Sequence, residues 1–314
     1  MPDICILVPN LGIATAGNSV TAERYKSIFE ELGYATSLTD SPTSDVVVAL
    51  NAYRSSEAVA ALRPEITVIA VITGTDLYRF WETDRELVES TLSRASVIIG
   101  LNDHVGKRLP EDLRAKLTII KEGAVAPPKT QGTQASPFVR AIAVGHLRDE
   151  KDPELLIEAL DQLPSNCSFQ VDHYGAAHTN EWATWARECS ANNHRYQWHG
   201  EISRIELCEI YTAADLLINT SRLEGGANVI SEAVMAGLPI VATSIDGNVG
   251  VLGADYPGLV PVHDSAALAK RLSATDADDG LLPLLVEASR ALQDELSVEH
   301  ESEQWRLVFD ELMR

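Results

Sequence analysis

The chain has 314 residues, 45% apolar and 23% charged, with 25 Lys and Arg against 46 Asp and Glu for a formal net charge of −21. That length suits two domains of ordinary size, each able to bury its own core, and the composition excludes a disordered chain, collagen or a fibre. So acidic a surface repels phosphate backbones and anionic lipid, and the 6% of aromatic residues form no base-stacking platform, so neither nucleic acid nor membrane is expected as a partner.

In chain order the residues read strand, helix, strand, repeatedly. Ile4–Val8 is a short apolar run closed by Pro9-Asn10; a loop with Gly12 and Gly17 follows, then a helix over Val20–Leu32 that stops at Gly33. Asp45–Leu50 and Ile66–Ile72 are continuous β-branched runs, the pattern of strands buried on both faces. A helix is predicted over Glu82–Arg94 and strands over Ser96–Leu101 and Leu117–Ile120. Ala126–Pro137 carries Pro127, Pro128, Gly132 and Pro137 among polar residues, the composition of an interdomain linker. The alternation restarts with a strand over Phe138–Val144, a helix over Pro153–Leu163 opened by its proline, a strand over Ser168–Tyr174, a helix over Asn180–Ala191 and a strand over Tyr196–His199. A helix over Ile205–Ala213, a strand over Leu216–Asn219, a helix over Asn228–Ala236 and a strand over Pro239–Thr243 come next. The end is helical over Ser265–Leu272, Leu281–Leu292 and Glu301–Leu312. Two βα-rich halves predict an α/β chain of two parallel-sheet domains, with ligands at the carboxyl ends of the strands in the crevice between them.

The segment Ser221-Arg222-Leu223-Glu224-Gly225-Gly226-Ala227-Asn228 follows one of these strands and opens a helix. Gly225 and Gly226 let a backbone approach a ligand closely, and the amides of a helix start form an anion site. Asn228 and Glu232, four apart, share a helix face, where a carboxylate can accept hydrogen bonds from a ribose diol. A glycine turn before an ordinary helix cap explains Gly-Gly alone. It does not explain two glutamates eight apart followed by Gly237-Leu238-Pro239.

Glu224 and Glu232 eight apart, with Ala233-x-x-Ala236-Gly237-x-Pro239, resemble the donor-site signature of the family 4 GT-B glycosyltransferases. The resemblance implies a GT-B fold, two Rossmann-like domains facing across a cleft. It implies that Glu232 holds the ribose of a nucleotide and that Glu224, with the amides of Gly225, Gly226 and Ala227, faces the donor sugar and diphosphate. The loop Gly145-His146-Leu147-Arg148-Asp149-Glu150-Lys151-Asp152-Pro153 resembles the family's Gly-Arg-Leu-x-x-x-Lys-Gly, whose Arg and Lys clamp the diphosphate. Lys151 matches; His146 replaces the Arg, and Arg148 stands two residues on. Cations there stabilise the charge that develops as the nucleotide departs.

A finer resemblance covers nearly the whole chain. Gly17–Arg24, Thr73–Tyr78, Gly145–Pro153, Ser221–Ala233 and Gly247–Gly258 are together similar to the selenosugar synthases of selenoneine biosynthesis. That similarity implies transfer of a sugar from UDP-N-acetylglucosamine or UDP-glucose to selenophosphate, giving a 1-selenosugar, UDP and phosphate. Family 4 enzymes acting on alcohols often carry a His where this chain has Thr73-Gly74-Thr75-Asp76. A selenium nucleophile arrives ionised and needs no general base. Donors for its phosphate oxygens are expected from Asn18, Ser19 and Thr21 at a helix start, from Arg54 and from the Thr75-Asp76 loop end.

The expected organisation is an acceptor-binding domain over 1–135, a nucleotide-sugar domain over 136–295, and a C-terminal helix over 296–314 that packs back on the first domain. No cofactor or metal is expected. Asp276-Ala277-Asp278 spells the metal motif of another glycosyltransferase fold, but it follows no apolar strand and reads as a helix-start charge run. His173, His178, His194 and His199 have no ligand spacing and are expected on surfaces or strand ends, and Trp182 and Trp185 as packing. Cys5, Cys167, Cys189 and Cys208 form no C-x-x-C pair and are expected reduced. No stretch approaches 18 apolar residues and no signal sequence opens the chain, so a cytoplasmic location is expected. The alternative is a conventional family 4 glycosyltransferase acting on a hydroxyl acceptor; rivals of other classes are a non-catalytic nucleotide-sugar sensor and a dehydrogenase, but no Gly-x-Gly-x-x-Gly follows the first strand of either half.

Overall fold

The computed structural model describes residues 2–9, 17–39, 44–128, 138–276 and 280–313. The β-branched runs form strands as expected. The first sheet contains β1 (Ile4–Leu7), β2 (Thr36–Thr39), β3 (Val46–Leu50), β4 (Thr67–Ile72), β5 (Val97–Gly100) and β6 (Leu117–Ile119), all parallel, in the order β2-β1-β3-β4-β5-β6. The second contains β7 (Val139–Val144), β8 (Phe169–Tyr174), β9 (Tyr196–Gly200), β10 (Leu216–Asn219), β11 (Ile240–Thr243) and β12 (Leu259–Val260), also parallel, in the order β12-β11-β10-β7-β8-β9.

Both sheets are doubly wound. The strand order reverses between β1 and β3 in the first, and between β7 and β10 in the second, where counting from β7 gives the order 3-2-1-4-5-6. The helices are α1 (Gly17–Glu31), α2 (Ser56–Ala60), α3 (Trp81–Thr83), α4 (Arg85–Arg94), α5 (Glu111–Arg114), α6 (Pro153–Asp161), α7 (Asn180–Asn192), α8 (Arg204–Ala213), α9 (Asn228–Met235), α10 (Asp246–Leu252), α11 (Ser265–Asp276), α12 (Leu281–Ala291) and α13 (Val298–Leu312).

Alternation along β3 divides the first core. Val46, Val48 and Leu50 pack with Ile4, Ile6, Ile69 and Val71 under α1 and α13; Val47 and Ala49 pack with Val68, Ala70 and Ile72 under Val88, Leu92 and Leu113. Trp305 of α13 is fully buried between Tyr25 and Phe29 of α1, at ring centroid distances of 4.8 and 4.9 Å. In the second sheet Ala141, Val171, Leu216, Leu217 and Val241 are buried, as are Leu155, Leu156 and Ala159 of α6 and Ile230, Ala233 and Val234 of α9.

The chain divides into two compact units. The first holds Met1–Gly123, Glu224–Asn228 and Val298–Arg314; the second holds Ala124–Leu223 and Val229–Ser297. The expected boundary at 135/136, residues 129–137 of the linker and Gly12 lie outside the described residues.

Several elements differ from expectation. β2 is polar and half-exposed, so no apolar run announces it. The helix expected over Glu82–Arg94 is broken at Asp84, whose φ of −141° and ψ of 41° leave helical space, and a π-turn over Asp76–Phe80 precedes it. The glycine-bearing α10 and the two-residue β12 were not expected. Asp276 is the last residue of α11, not a helix start, and its carboxylate accepts from the Ser168 N–H at 2.9 Å; residues 277 and 278 lie outside the described residues. His173 is buried, not at the surface: its Nδ1 meets Tyr196 Oη at 2.9 Å and its Nε2 meets the Gly145 carbonyl at 3.1 Å. Burial pushes its pKa down to about 4, with the charge of Lys151 adding to the shift, so it stays neutral.

Candidate functional site

Ligands of doubly wound sheets bind at the carboxyl ends of the strands that flank the reversal of strand order. In the second sheet those strand ends lead into Gly145–Asp152, after β7, and Thr220–Leu223, after β10. These are the two loops singled out by their motifs, and the fold stitches them together. Arg222 donates its backbone N–H to the Glu150 carbonyl at 2.8 Å, and Thr220 Oγ1 donates to the Lys151 carbonyl at 2.9 Å. Asp152, buried and left-handed at φ 45°, receives the Arg222 guanidinium through Nε at 2.6 Å and Nη2 at 2.7 Å. The same carboxylate caps α6 by accepting the Leu155 N–H. Neither Asp152 nor Arg222 was predicted as a pair; a carboxylate just before Pro at a helix start was the available signal.

Lys151 and its two candidate partners, His146 and Arg148, share this loop. Lys151 ends a short 3-10 turn over Asp149–Lys151, with its aliphatic stem against Gly145. His146 Nδ1 accepts the Ala176 N–H at 3.1 Å, which places the proton of the neutral ring on Nε2. Arg148 lies 3.8 Å from Glu150. His178 packs against His146 at 5.6 Å between centroids, and burial together with the Arg148 charge lowers its pKa. Glu232 lies on α9. Its Oε2 accepts from Tyr211 Oη at 3.0 Å, and its Oε1 lies 3.4 Å from Arg204. Burial and the Glu232 charge raise the Tyr211 pKa well above the ordinary phenol, so that hydroxyl remains a donor.

Glu224–Asn228 belongs to the first unit, where it is packed against the backbone. A Cβ on Gly225 would fall on the Thr73 carbonyl, and one on Gly74, at φ +117°, would lie 2.5 Å from the Gly225 nitrogen. A Cβ on Gly226 would lie 2.8 Å from both Glu122 Oε2 and Leu101 Cβ. On their Cβ side Gly225 and Gly226 admit protein. Asn102 Nδ2 donates to the Gly225 carbonyl at 2.6 Å, and Arg24 Nη1 donates to Asn228 Oδ1 at 2.7 Å. Glu224 is half-buried at the head of this segment, and Ala227 is buried within it.

The expected acceptor residues are rearranged by the first sheet's own needs. Thr21 is buried, and its hydroxyl donates to Glu122, so it is not a phosphate contact. Asp76 is fully buried, and its carboxylate accepts N–H groups from Ala52, Thr73, Gly74 and Leu77; it organises the loop and does not face a ligand. Burial raises its pKa against those four donors. Thr75 is half-buried, and its hydroxyl, like that of Thr73, accepts from Asn51 Nδ2, at 3.0 and 2.9 Å. Each hydroxyl therefore keeps its own hydrogen to donate. Asn18 and Ser19 are half-buried on the first turn of α1, and Arg54 is exposed after β3. Asn51, in the left-handed region at φ 62°, was not expected; it ties the ends of β3 and β4 together.

Among the described residues no group of three or more His, Cys, Asp or Glu is placed to hold a metal ion, and no helix is long and apolar enough to cross a membrane.

Residues 133–287 match the family described as Glycosyl transferases group 1. A curated relative, the D-inositol 3-phosphate glycosyltransferase of Xylanimonas cellulosilytica, is 32% identical over 162 residues, which are 50% of this chain and 38% of the relative. The chain thus spans well under half the length of that relative. Among solved structures, a glycosyltransferase from Rickettsia africae superposes with a TM-score of 0.78 at 15% identity, covering 99% of this chain and 98% of its own. Anabaena HepE in complex with UDP gives 0.76 at 14% identity over 98% and 100%. These likenesses establish the fold: two parallel α/β domains of the GT-B kind.

Proposed function

From the premise that residues 133–287 form a group 1 glycosyl transferase domain, we propose that the protein transfers a sugar from UDP-N-acetylglucosamine or UDP-glucose to selenophosphate. The observation that supports the donor half is that the two strand-end loops at the second sheet's reversal point are tied to each other. Lys151, His146 and Arg148 stand on one strand-end loop, and Glu232 is an acceptor on the helix that follows the other. In this reading Glu232 accepts from the ribose diol, and Lys151, with Arg148 or with His146 donating from Nε2, stabilises the departing diphosphate. Glu224 and the amides of Gly225–Ala227 contact the sugar and diphosphate. The neighbour HepE was solved with UDP and with UDP and glucose, which supports a UDP-sugar donor here.

The acceptor half rests on the end of β4. Its one carboxylate, Asp76, is consumed by four backbone donors, so this loop supplies no general base. Thr73 and Thr75 supply hydroxyl donors instead. An anionic selenium nucleophile that brings its own phosphate suits both features. Selenium attacks the anomeric carbon, a C–Se bond forms, and the C–O bond to UDP breaks with its electron pair leaving on UDP. Water then cleaves the Se–P bond, giving the 1-selenosugar and phosphate. Arg54, Asn18 and Ser19 are the further contacts proposed for the phosphate. A second reading, a hydroxyl acceptor bearing phosphate, is favoured by the likeness to the inositol 3-phosphate enzyme.

Incubation with UDP-N-acetylglucosamine or UDP-glucose and selenophosphate, followed by mass spectrometry, separates the two. A sugar product with the selenium isotope pattern and selenophosphate-dependent UDP release is expected. UDP release indifferent to selenophosphate but driven by a hydroxylated acceptor overturns the first reading.

A further inference from the structure

Arg24 lies on α1 with only 10% of its side chain exposed, and its guanidinium reaches three acceptors from distant parts of the chain. Nε donates to Glu301 Oε2 of α13 at 2.8 Å, Nη2 to Glu122 Oε1 after β6 at 2.9 Å, and Nη1 to Asn228 Oδ1 at 2.7 Å. Both carboxylates are themselves fixed: Glu301 accepts the Gly123 N–H at 3.0 Å and Glu122 accepts from Thr21. A rigid fork anchored on two sides leaves its third edge in one place, and that edge holds Asn228.

We propose that Arg24 is a positioning residue for the Glu224–Asn228 segment, with Glu122 and Glu301 as its anchors. The chemistry argues for that use of the ion cluster. A buried pair of carboxylates around one cation is a costly way to gain stability, and apolar residues of similar volume would serve the core as well. What such a cluster supplies is direction. Arginine aims separate N–H groups at separate acceptors, which the compact ammonium of lysine does not. Gly225 and Gly226 offer no side chain as an anchor, and their backbone is fixed by close approach to Thr73 and Gly74 and by Asn102. Arg24 closes the far end. The functional consequence rests on the reading that this segment contacts the donor, because the amides of Gly225–Ala227 can be preorganised for a diphosphate only if both of its ends are held.

The test uses full-length Asn228→Ala, which removes only the segment's side of the contact, and Arg24→Lys, which keeps the charge. Arg24→Met combined with Glu301→Gln is the companion in which two buried carboxylates are not left facing each other. Amide hydrogen exchange of Gly225–Asn228 is expected to quicken at least tenfold in all three, with β1 and β3 unchanged, and Arg24→Lys is expected to recover little of the protection. Unchanged exchange at 225–228 in Asn228→Ala, or a uniform rise across α1 and α13 with no local increment, overturns the proposal. UDP titration separates this from the donor reading. A loosened segment with weakened UDP binding supports both, whereas a loosened segment with unmoved UDP affinity supports Arg24 as a positioning residue and removes the segment from the donor site.

Discussion

The strand ends of the two sheets spend polar side chains on different jobs: in the second sheet they tie two loops to each other, in the first they satisfy single loops from within. After β7 and β10, backbone and Asp152–Arg222 contacts lock the loops to each other, and the same loop carries Lys151, His146 and Arg148. After β1, β3 and β4, the polar side chains are spent on the protein itself: Thr21 on Glu122, Asp76 on four N–H groups, Asn51 on two threonines. The lesson is one of accounting for hydrogen bonds. A buried carboxylate or hydroxyl must be satisfied somewhere, and where the backbone of a tight loop needs donors or acceptors it takes them before any ligand does.

The largest effect that would sharpen this contrast is at Gly225. A methyl group there collides with backbone, not with a side chain that can rotate, so Gly225→Ala is expected to cost about 1–3 kcal/mol as overpacking and to displace the segment. Denaturant unfolding and hydrogen exchange check it; a variant as stable as the parent, with the loop in place, would break the claim that the segment is clamped on the first sheet.

Next comes the pH response of the first unit. Burial raises the Glu301 carboxyl to about 7, with Arg24 opposing and Glu122 adding to the rise. A raised folded-state pKa means that the folded protein holds its proton where the unfolded chain has lost it. This group's contribution is therefore present below the ordinary value of 4.5 and is lost as pH rises to about 7, by about 3 kcal/mol at most. Glu301→Gln should flatten that part of the stability profile between pH 4.5 and 7, read from urea midpoints. An unchanged slope would show that the cluster does not titrate in this window.

The smallest expected effect is none. In the proposed reading the cations on the second sheet's loop take the place of a divalent ion, so turnover is expected to survive EDTA; complete loss restored by magnesium or manganese would break the electrostatic assignment proposed for Lys151.

How much of this was legible follows the same division. Strands with continuous apolar runs, such as β3 and β4, and helices with proline or glycine at their ends, such as α6 and α9, were readable because burial and chain stiffness act locally. The loops after β7 and β10 were readable because they carry residue types at the fixed spacing of a family motif, in the stretch that matches the family. β2 was not, because an edge strand needs no apolar run. The Arg24 cluster was not, because its members are separated by up to 277 positions and meet only in the fold. A signal was nevertheless present: Arg24 stands three residues after Thr21 and four before Ile28 on the buried face of α1, and Glu301 stands four before Trp305 on that of α13. A charge on an apolar stripe requires a partner. Asp76 misled for the converse reason: a carboxylate at a strand end looks like chemistry until the four amides around it are counted.

The most direct test of the account is calorimetric titration of UDP into the parent and Glu232→Ala. If the second sheet's strand ends hold the nucleotide, the variant should bind about 1.5–3 kcal/mol more weakly, the worth of a hydrogen bond to a charged group, at a temperature where circular dichroism shows both proteins folded. Equal affinity in the two proteins would contradict it.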